Sequence, residues 1–350
     1  MNEQTPESLG FRMPAEWAEH EATWLSWPKN PLTFPENILG DVENIYCRMV
    51  NALTQGEIVK ILVNDEASER RVAEKLEKSG AVMSRVKLLR IPSSDVWIRD
   101  YGPTFLLRET SGERAAVKWR FNAWGGKYDD ILCDDATGDA VAQTLADRIF
   151  RPDIVLEGGS IDVNGMGTVL TTEQCLLNPN RNPGLSRREI ETIVKRHLNA
   201  SRMIWLKSGI DGDDTDGHVD DFARFVAPNR VLCAWTDSDK GGNASVLQEN
   251  FDILASAKDQ DGNPLEVIRL PLPDPLWLKE ENRWLPASYA NFYIGNHAVL
   301  LPVFNDPMDK EAVEILQSCF PDRKITPIVA TALVYGYGGI HCITQQEPAK

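Results

Sequence analysis

The stretch Asn164-Gly165-Met166-Gly167-Thr168-Val169-Leu170-Thr171-Thr172 sets the grammar of this chain: a short polar turn, then a run of apolar and β-branched residues. Such a run suits a buried, pleated strand. The pattern returns where Pro228-Asn229-Arg230 leads into Val231-Leu232-Cys233-Ala234-Trp235. It returns again where Gly295-Asn296-His297 leads into Ala298-Val299-Leu300-Leu301-Pro302. Val169, Val231 and Val299 stand 62 and 68 residues apart, with one amphipathic helix in each step, a spacing that suggests structural repeats. Five segments read as amphipathic helices, at 68–79, 139–150, 186–198, 244–257 and 309–319. The third opens on a capping box, Ser186 with Glu189. An earlier helix over 35–53 precedes the first clear strand at 58–63. Five helix-plus-strand units of about 70 residues each suit a circular array around a central site. Ordinary α/β domains alternate in the same way, and periodicity alone leaves both arrangements open.

Composition narrows the function classes. With 42% hydrophobic and 25% charged residues, the chain reads as soluble and globular, large enough to bury a substantial core. Its net charge of -15 repels nucleic acid and anionic membranes and gathers small cations, so neither is expected as a partner. Six scattered cysteines without a C-x-x-C pair read as reduced thiols of a cytoplasmic protein, with no disulfide framework and no zinc site. The polar, acidic start is unlike a signal peptide, and no apolar run approaches a membrane span. No linker divides the chain, so a flexible N-terminus at 1–10 and one domain over 11–350 are expected. The sequence leaves the oligomeric state open, a homo-oligomer included.

Chemistry concentrates at a few points. Tyr335-Gly336-Tyr337-Gly338-Gly339-Ile340 delivers His341-Cys342, and glycines there permit positive φ and close approach, as in the presentation of a nucleophile. If the strand after the turn begins at once, His341 and Cys342 face opposite ways, so the acid/base comes from elsewhere. His218 is the candidate, because in an extended segment it shares a face with Asp220. Trp97 and Asp100 precede the Gly102-Pro103 turn, Glu157 precedes Gly158-Gly159, and Asn291 lies among aromatics. Each has a purely structural explanation as well: an Arg99–carboxylate pair, a tight turn, a satisfied strand asparagine. Carboxylates beside a thiol raise its pKa, a peculiar setting for a nucleophile unless the substrate brings the positive charge. A guanidinium does so, and it pairs with carboxylates in bidentate geometry. A calcium-loop register for residues 212–223 lacks ligands at both ends, since Gly212 and Ala223 fall at positions one and twelve.

These residues coincide with a family pattern. The chain resembles the agmatine deiminases, guanidino-group-modifying enzymes of the pentein (α/β propeller) fold. The resemblance rests on Phe11-Arg12-Met13-Pro14-Ala15-Glu16-Trp17, Trp97-x-Arg99-Asp100-x-Gly102-Pro103 and Phe121-Asn122-Ala123-Trp124-Gly125-Gly126. It extends through Glu157-Gly158-Gly159, Gly217-His218-Val219-Asp220-Asp221 and Ile340-His341-Cys342-Ile343-Thr344-Gln345-Gln346. The resemblance implies five pseudo-symmetric units around a central site, a metal-free and cofactor-free mechanism, and a small cationic guanidino substrate, agmatine. It implies Cys342 as nucleophile, His218 as acid/base, and Asp100 and Asp220 as guanidinium-binding carboxylates, with Trp97, Glu157 and Asn291 along the pocket. Asp214 in the acidic loop is the candidate for the distal ammonium. The expected reaction converts agmatine to N-carbamoylputrescine and ammonia through an amidino-cysteine, a step toward putrescine. Alternatives are deimination of peptidyl or free arginine, a divalent-metal hydrolase built on the 211–221 loop, and a non-catalytic polyamine binder. One departure stands out: Tyr337 interrupts a turn that relatives often build from glycines alone.

Overall fold

The computed structural model describes residues 4–145, 148–238 and 240–350. Five sheets among these residues follow one plan: two antiparallel strands, then a third strand parallel to the second and reached through a helix. A parallel neighbour cannot be reached by a tight turn, so each unit needs its helix as the crossover. We number the five blades in chain order.

Blade one holds strands Thr104–Arg108, Glu113–Val117 and Arg148–Phe150 with helix Asp134–Leu145. Blade two holds Asp162–Val163, Thr168–Thr172 and Arg202–Leu206 with helix Arg187–Leu198, whose Ser186–Glu189 capping box is formed. Blade three holds Ala223–Ala227, Arg230–Trp235 and Glu266–Pro271 with helix Ala244–Ser256. Blade four holds Tyr293–Ile294, Ala298–Val303 and Lys324–Val329 with helix Asp309–Cys319. Blade five joins the chain ends: Gln345–Pro348 pairs antiparallel with His20–Ser26, which runs parallel to Ile58–Val63 across helix Glu36–Leu53. Val169, Val231 and Val299 all lie on the middle strand of their blade, which is why their spacing repeats.

The fivefold count holds with one substitution of parts. The helix of blade five is Glu36–Leu53, whereas the helix expected over 68–79, observed as Glu66–Ser79, is an addition leading to a fourth strand, Val86–Arg90. The helix expected over 139–150 runs from Asp134 to Leu145; residues 146 and 147 lie outside the described residues, and Arg148–Phe150 is a strand. Gly138, just ahead of the expected start, lies within that helix. A Cβ there would meet the Tyr101 carbonyl oxygen at 1.8 Å, so glycine is required by close packing. Of the N-terminal segment 1–10, residues 1–3 lie outside the described residues, and Glu7–Leu9 form one 3-10 turn.

Buried polar contacts close the ring. Glu347 accepts hydrogen bonds from Trp24 (2.8 Å) and Lys60 (2.6 Å) of blade five and pairs with Arg114 of blade one. Arg224 of blade three donates to Asp162 of blade two (2.6 Å) and to the Phe292 carbonyl just before blade four (2.7 Å). Buried ions hold only where geometry satisfies them, so these contacts fix blade against blade. No helix among the described residues is long and apolar enough to cross a membrane.

Candidate active site

The repeat explains the site. Immediately upstream of the first strand in each blade runs a short segment that carries a chemically active side chain toward the axis. These are Asp100 before blade one, Glu157 before blade two, His218 and Asp220 before blade three, Asn291 before blade four, and Cys342 before blade five. Residues far apart in sequence converge because each occupies the same place in its repeat.

Local geometry departs from simple strands at two of these points. Val219–Asp221 is a 3-10 turn, so the extended alternation expected for His218 and Asp220 does not hold. The turn still keeps His218 Nδ1 4.0 Å from Asp220 Oδ1. Around the cysteine, residues 340–343 form a turn, with the Thr344 amide donating to the His341 carbonyl (3.1 Å). The glycines before it act by close approach rather than positive φ. A Cβ on Gly338 would lie 2.2 Å from the Trp97 ring, and one on Gly339 2.3 Å from Asn291 Oδ1. Left-handed backbone in this turn falls instead on Tyr337, at φ 72°.

His218 lies between carboxylates, Nδ1 3.8 Å from Asp100 and Nε2 3.8 Å from Glu157. Neither ring nitrogen has a hydrogen-bond partner among the described residues. Burial alone lowers a histidine's pKa, but here Asp100, Glu157 and the neighbouring Cys175 overcome it and hold His218 well above its ordinary value. Asp100 accepts from Trp124 Nε1 (3.0 Å) and from the Gly159 amide (2.9 Å). Burial pushes its pKa up to about 6, against the opposing pull of His218, with Asp220 and Glu157 adding to the rise. Glu157 is fully buried and bound by Arg181 Nε (2.6 Å); that guanidinium overcomes burial and keeps its pKa low.

Cys342 Sγ lies 3.8 Å from Asp220 Oδ2 and receives Asn291 Nδ2 at 3.2 Å. Burial pushes the thiol well above its ordinary pKa, and Asp220, Asp221 and Asp100 push in the same direction. The protein by itself therefore holds a thiol, and a cation among these acids is what would release the thiolate.

A cavity of about 300 Å³ opens onto this cluster. Cys342, Asp100, Trp97, Trp124, Asp214, Tyr128 and Tyr337 line it. Asp214 accepts from the Tyr128 hydroxyl. Glu157, Asn291, His218 and Asp220 are buried next to this lining: Asn291 and Asp220 contact Cys342, His218 faces Asp100, and Glu157 faces His218. Asp95 also lines the cavity and was not singled out from the sequence; burial raises its pKa to about 6. Trp124 was quoted only as part of a motif, and Arg181 gave no signal at all.

The acidic loop serves its own backbone. Asp213 accepts from the amides of Thr215 (2.7 Å), Gly217 (2.6 Å) and His218 (3.1 Å), while Asp216 pairs with Lys127 (2.9 Å) and Arg181 (2.7 Å). Its carboxylates are thus engaged in shaping the turn that presents His218, which argues against the metal-hydrolase alternative. Two trios have metal-ligand spacing, Glu157 with Cys175 and His218, and Asp220 with Asp221 and Cys342. Arg181 occupies Glu157 in the first, and Asn291 occupies both Asp221 and Cys342 in the second. Each donor set thus has members already engaged by hydrogen bonds.

The family model for Porphyromonas-type peptidyl-arginine deiminase matches residues 12–348. The chain belongs to that family. It is 39% identical to the agmatine deiminase of Ectopseudomonas mendocina, over 99% of this chain and 97% of that protein. A solved agmatine deiminase of Enterococcus faecalis superposes with a TM-score of 0.91 at 34% identity, covering 100% of this chain and 99% of that one. A variant agmatine deiminase of C. jejuni with substrate bound superposes at 0.85, with 29% identity and 96% of each chain covered. A dimethylarginine dimethylaminohydrolase at 12% identity and a TM-score of 0.52 shares the fold, and the architecture is the pentein propeller that the family resemblance implies.

Proposed function

We propose that this protein hydrolyses agmatine to N-carbamoylputrescine and ammonia. The observation that carries the proposal is the meeting of Cys342 with Asp220, and of His218 with Asp220 and Asp100, beside an acid-lined cavity. The names of its full-length relatives favour the same substrate. Asp100 and Asp220 bind the guanidinium in ionised form, and the bound cation favours the Cys342 thiolate, the thiol proton passing to solvent. The thiolate attacks the central carbon while His218, protonated by its carboxylate setting, delivers a proton to the departing ammonia. An amidino-cysteine remains. His218, now neutral, takes a proton from water, which attacks the same carbon; collapse breaks the C–S bond and frees the ureido product. Trp97 and Trp124 wall the planar group, Asn291 steadies the sulfur, and Asp214 receives the distal ammonium. The cytoplasm, with its reduced thiols, is the setting we assign.

The test compares ammonia release from agmatine, free arginine and an arginine peptide, with intact-protein mass spectrometry after quenching. Turnover of agmatine above the others and an adduct on Cys342 are expected. Preference for the arginine peptide would move the assignment to the activity after which the family is named, and no adduct under conditions of turnover would remove the covalent step.

A further inference from the structure

The mechanism above uses one histidine, yet a second is buried in the same cluster. His341 Nδ1 lies 2.6 Å from Asp220 Oδ2, and Nε2 lies 2.7 Å from Glu16 Oε2. Two carboxylates cannot both receive a hydrogen bond from a neutral imidazole, which carries a single N–H. Glu16 is itself fixed: the Ile294 amide donates to it (2.9 Å), and Arg224 (3.0 Å) and Arg99 (3.4 Å) pair with it. This gives a role to the N-terminal motif around Glu16, which the reaction does not otherwise use.

We propose that His341 is a positioning residue: an imidazolium clamped between Glu16 and Asp220 that fixes the Asp220 carboxylate and aims its other oxygen at the substrate guanidinium. Asp220 Oδ2 is taken by His341, while Oδ1 has no hydrogen-bond partner among the described residues and faces His218 Nδ1 at 4.0 Å. Burial would raise the Asp220 pKa, but the hydrogen bond and charge of His341, followed by the charges of His218 and Arg224, keep it below the ordinary carboxylate range. Asp220 thus stays ionised as pH falls through about 6, where Asp100, without such a partner, takes up a proton. The charged or titratable groups facing the clamp are Glu16, Arg99, Arg224, Asp220, His218 and Cys342, with Asp100 and Asp221 next to them.

The inference rests on the proposed function for its kinetic test and is independent of it for its spectroscopic one. In the wild-type protein labelled with ¹⁵N-histidine, the His341 ring, identified by its response to Glu16→Gln, is expected to show two protonated nitrogens at pH 7.5. One unprotonated nitrogen at pH 7.5 overturns the proposal, whatever the enzyme turns over. In His341→Gln, KM for agmatine is expected to rise tenfold or more with a smaller fall in kcat, and the acid limb of kcat/KM is expected to move to higher pH. A uniform loss of kcat with an unmoved pH profile would mean that His341 only supports the fold. Should that variant not fold, the wild-type spectrum still decides. A wild-type protein inactive on agmatine would end the proposed function while leaving the spectroscopic result standing.

Discussion

The segments leading into blades three and five each place a histidine against Asp220, and they treat it in opposite ways. His218 has both ring nitrogens unbonded and faces three carboxylates from 3.8 to 4.0 Å, while both nitrogens of His341 are hydrogen-bonded at 2.6 and 2.7 Å. Unbonded nitrogens in a buried ring are expensive, and they are useful only where a proton must move. Bonded ones hold a charge still. Two histidines with equally buried, equally acidic surroundings thus separate by hydrogen-bond occupancy rather than by burial or charge.

The largest effect expected from breaking this division is at the reacting pair. Cys342→Ala should lower kcat by at least about 10⁴-fold, since residues that act as a unit lose nearly everything with one member. His218→Gln should cost about 10²–10⁴-fold, in the range of general acid–base catalysis. Steady-state ammonia release measures both. A His218→Gln enzyme within fivefold of wild type would place the mobile proton elsewhere.

The next effect is on pH dependence, and its sign follows from the Asp100 pKa of about 6. Above that value Asp100 is an anion and pairs with a guanidinium; below it the group is neutral and the pairing is lost. Agmatine affinity of the inactive Cys342→Ala protein, followed by calorimetry, should therefore weaken as pH falls through about 6, by up to about tenfold per unit. Asp220, held low by His341, should add no limb in that window. Affinity that stays flat from pH 8 to 5 would mean that Asp100 remains ionised or does not meet the ligand.

A smaller effect is expected at the Asp214 end. The Asp214 side chain is about a quarter exposed and engaged by Tyr128, so its ion pair with an ammonium is partly screened. Asp214→Asn should raise KM for agmatine only a few-fold, in line with about 1 kcal/mol for a pair at the surface, with kcat unmoved. An unchanged KM would remove Asp214 from the ligand's path.

How much of this the sequence could show depends on how local each cause is. The repeated turn-plus-strand grammar is local, so the middle strands at Val169, Val231 and Val299 were legible, and so were the helices with clear caps. The role of Gly138 is not local, because the atom that forbids a side chain there belongs to Tyr101. The partition of helices failed for a related reason: Glu36–Leu53 and Glu66–Ser79 are both sound amphipathic helices, and only strand pairing shows which one completes blade five. In the site, residue types and flanking glycines raised candidates that each had a structural explanation, and the family motifs joined Cys342, His218, Asp100 and Asp220 into one set. The Glu16–His341 contact spans 325 positions and leaves no trace in spacing. Alternation also misled there, because it presumes a strand where the chain makes a turn.

The smallest expected effect concerns Tyr337, where two opposing terms nearly cancel. A non-glycine residue at φ 72° is strained, by about 1 kcal/mol, so Tyr337→Gly relieves the folded backbone. The same substitution loosens the unfolded chain, which offsets about 0.5–1 kcal/mol of that gain. It also removes the Arg283 guanidinium stacked 3.4 Å over the ring, worth about 0.5–1 kcal/mol at an exposed site, and the hydroxyl's bond to Glu281. Tyr337→Gly should therefore be slightly less stable, by about 1 kcal/mol or under, and Tyr337→Phe, which keeps the ring and the backbone, should fall between it and wild type. Because the ring lines the same cavity as Cys342, the glycine variant should also admit bulkier guanidines that wild type excludes, with the rate on agmatine little changed. Thermal denaturation of the three proteins and turnover of agmatine against an arginine peptide separate the terms. A glycine variant more stable than wild type would show that the tyrosine is retained at this turn for what it excludes rather than for what it holds together.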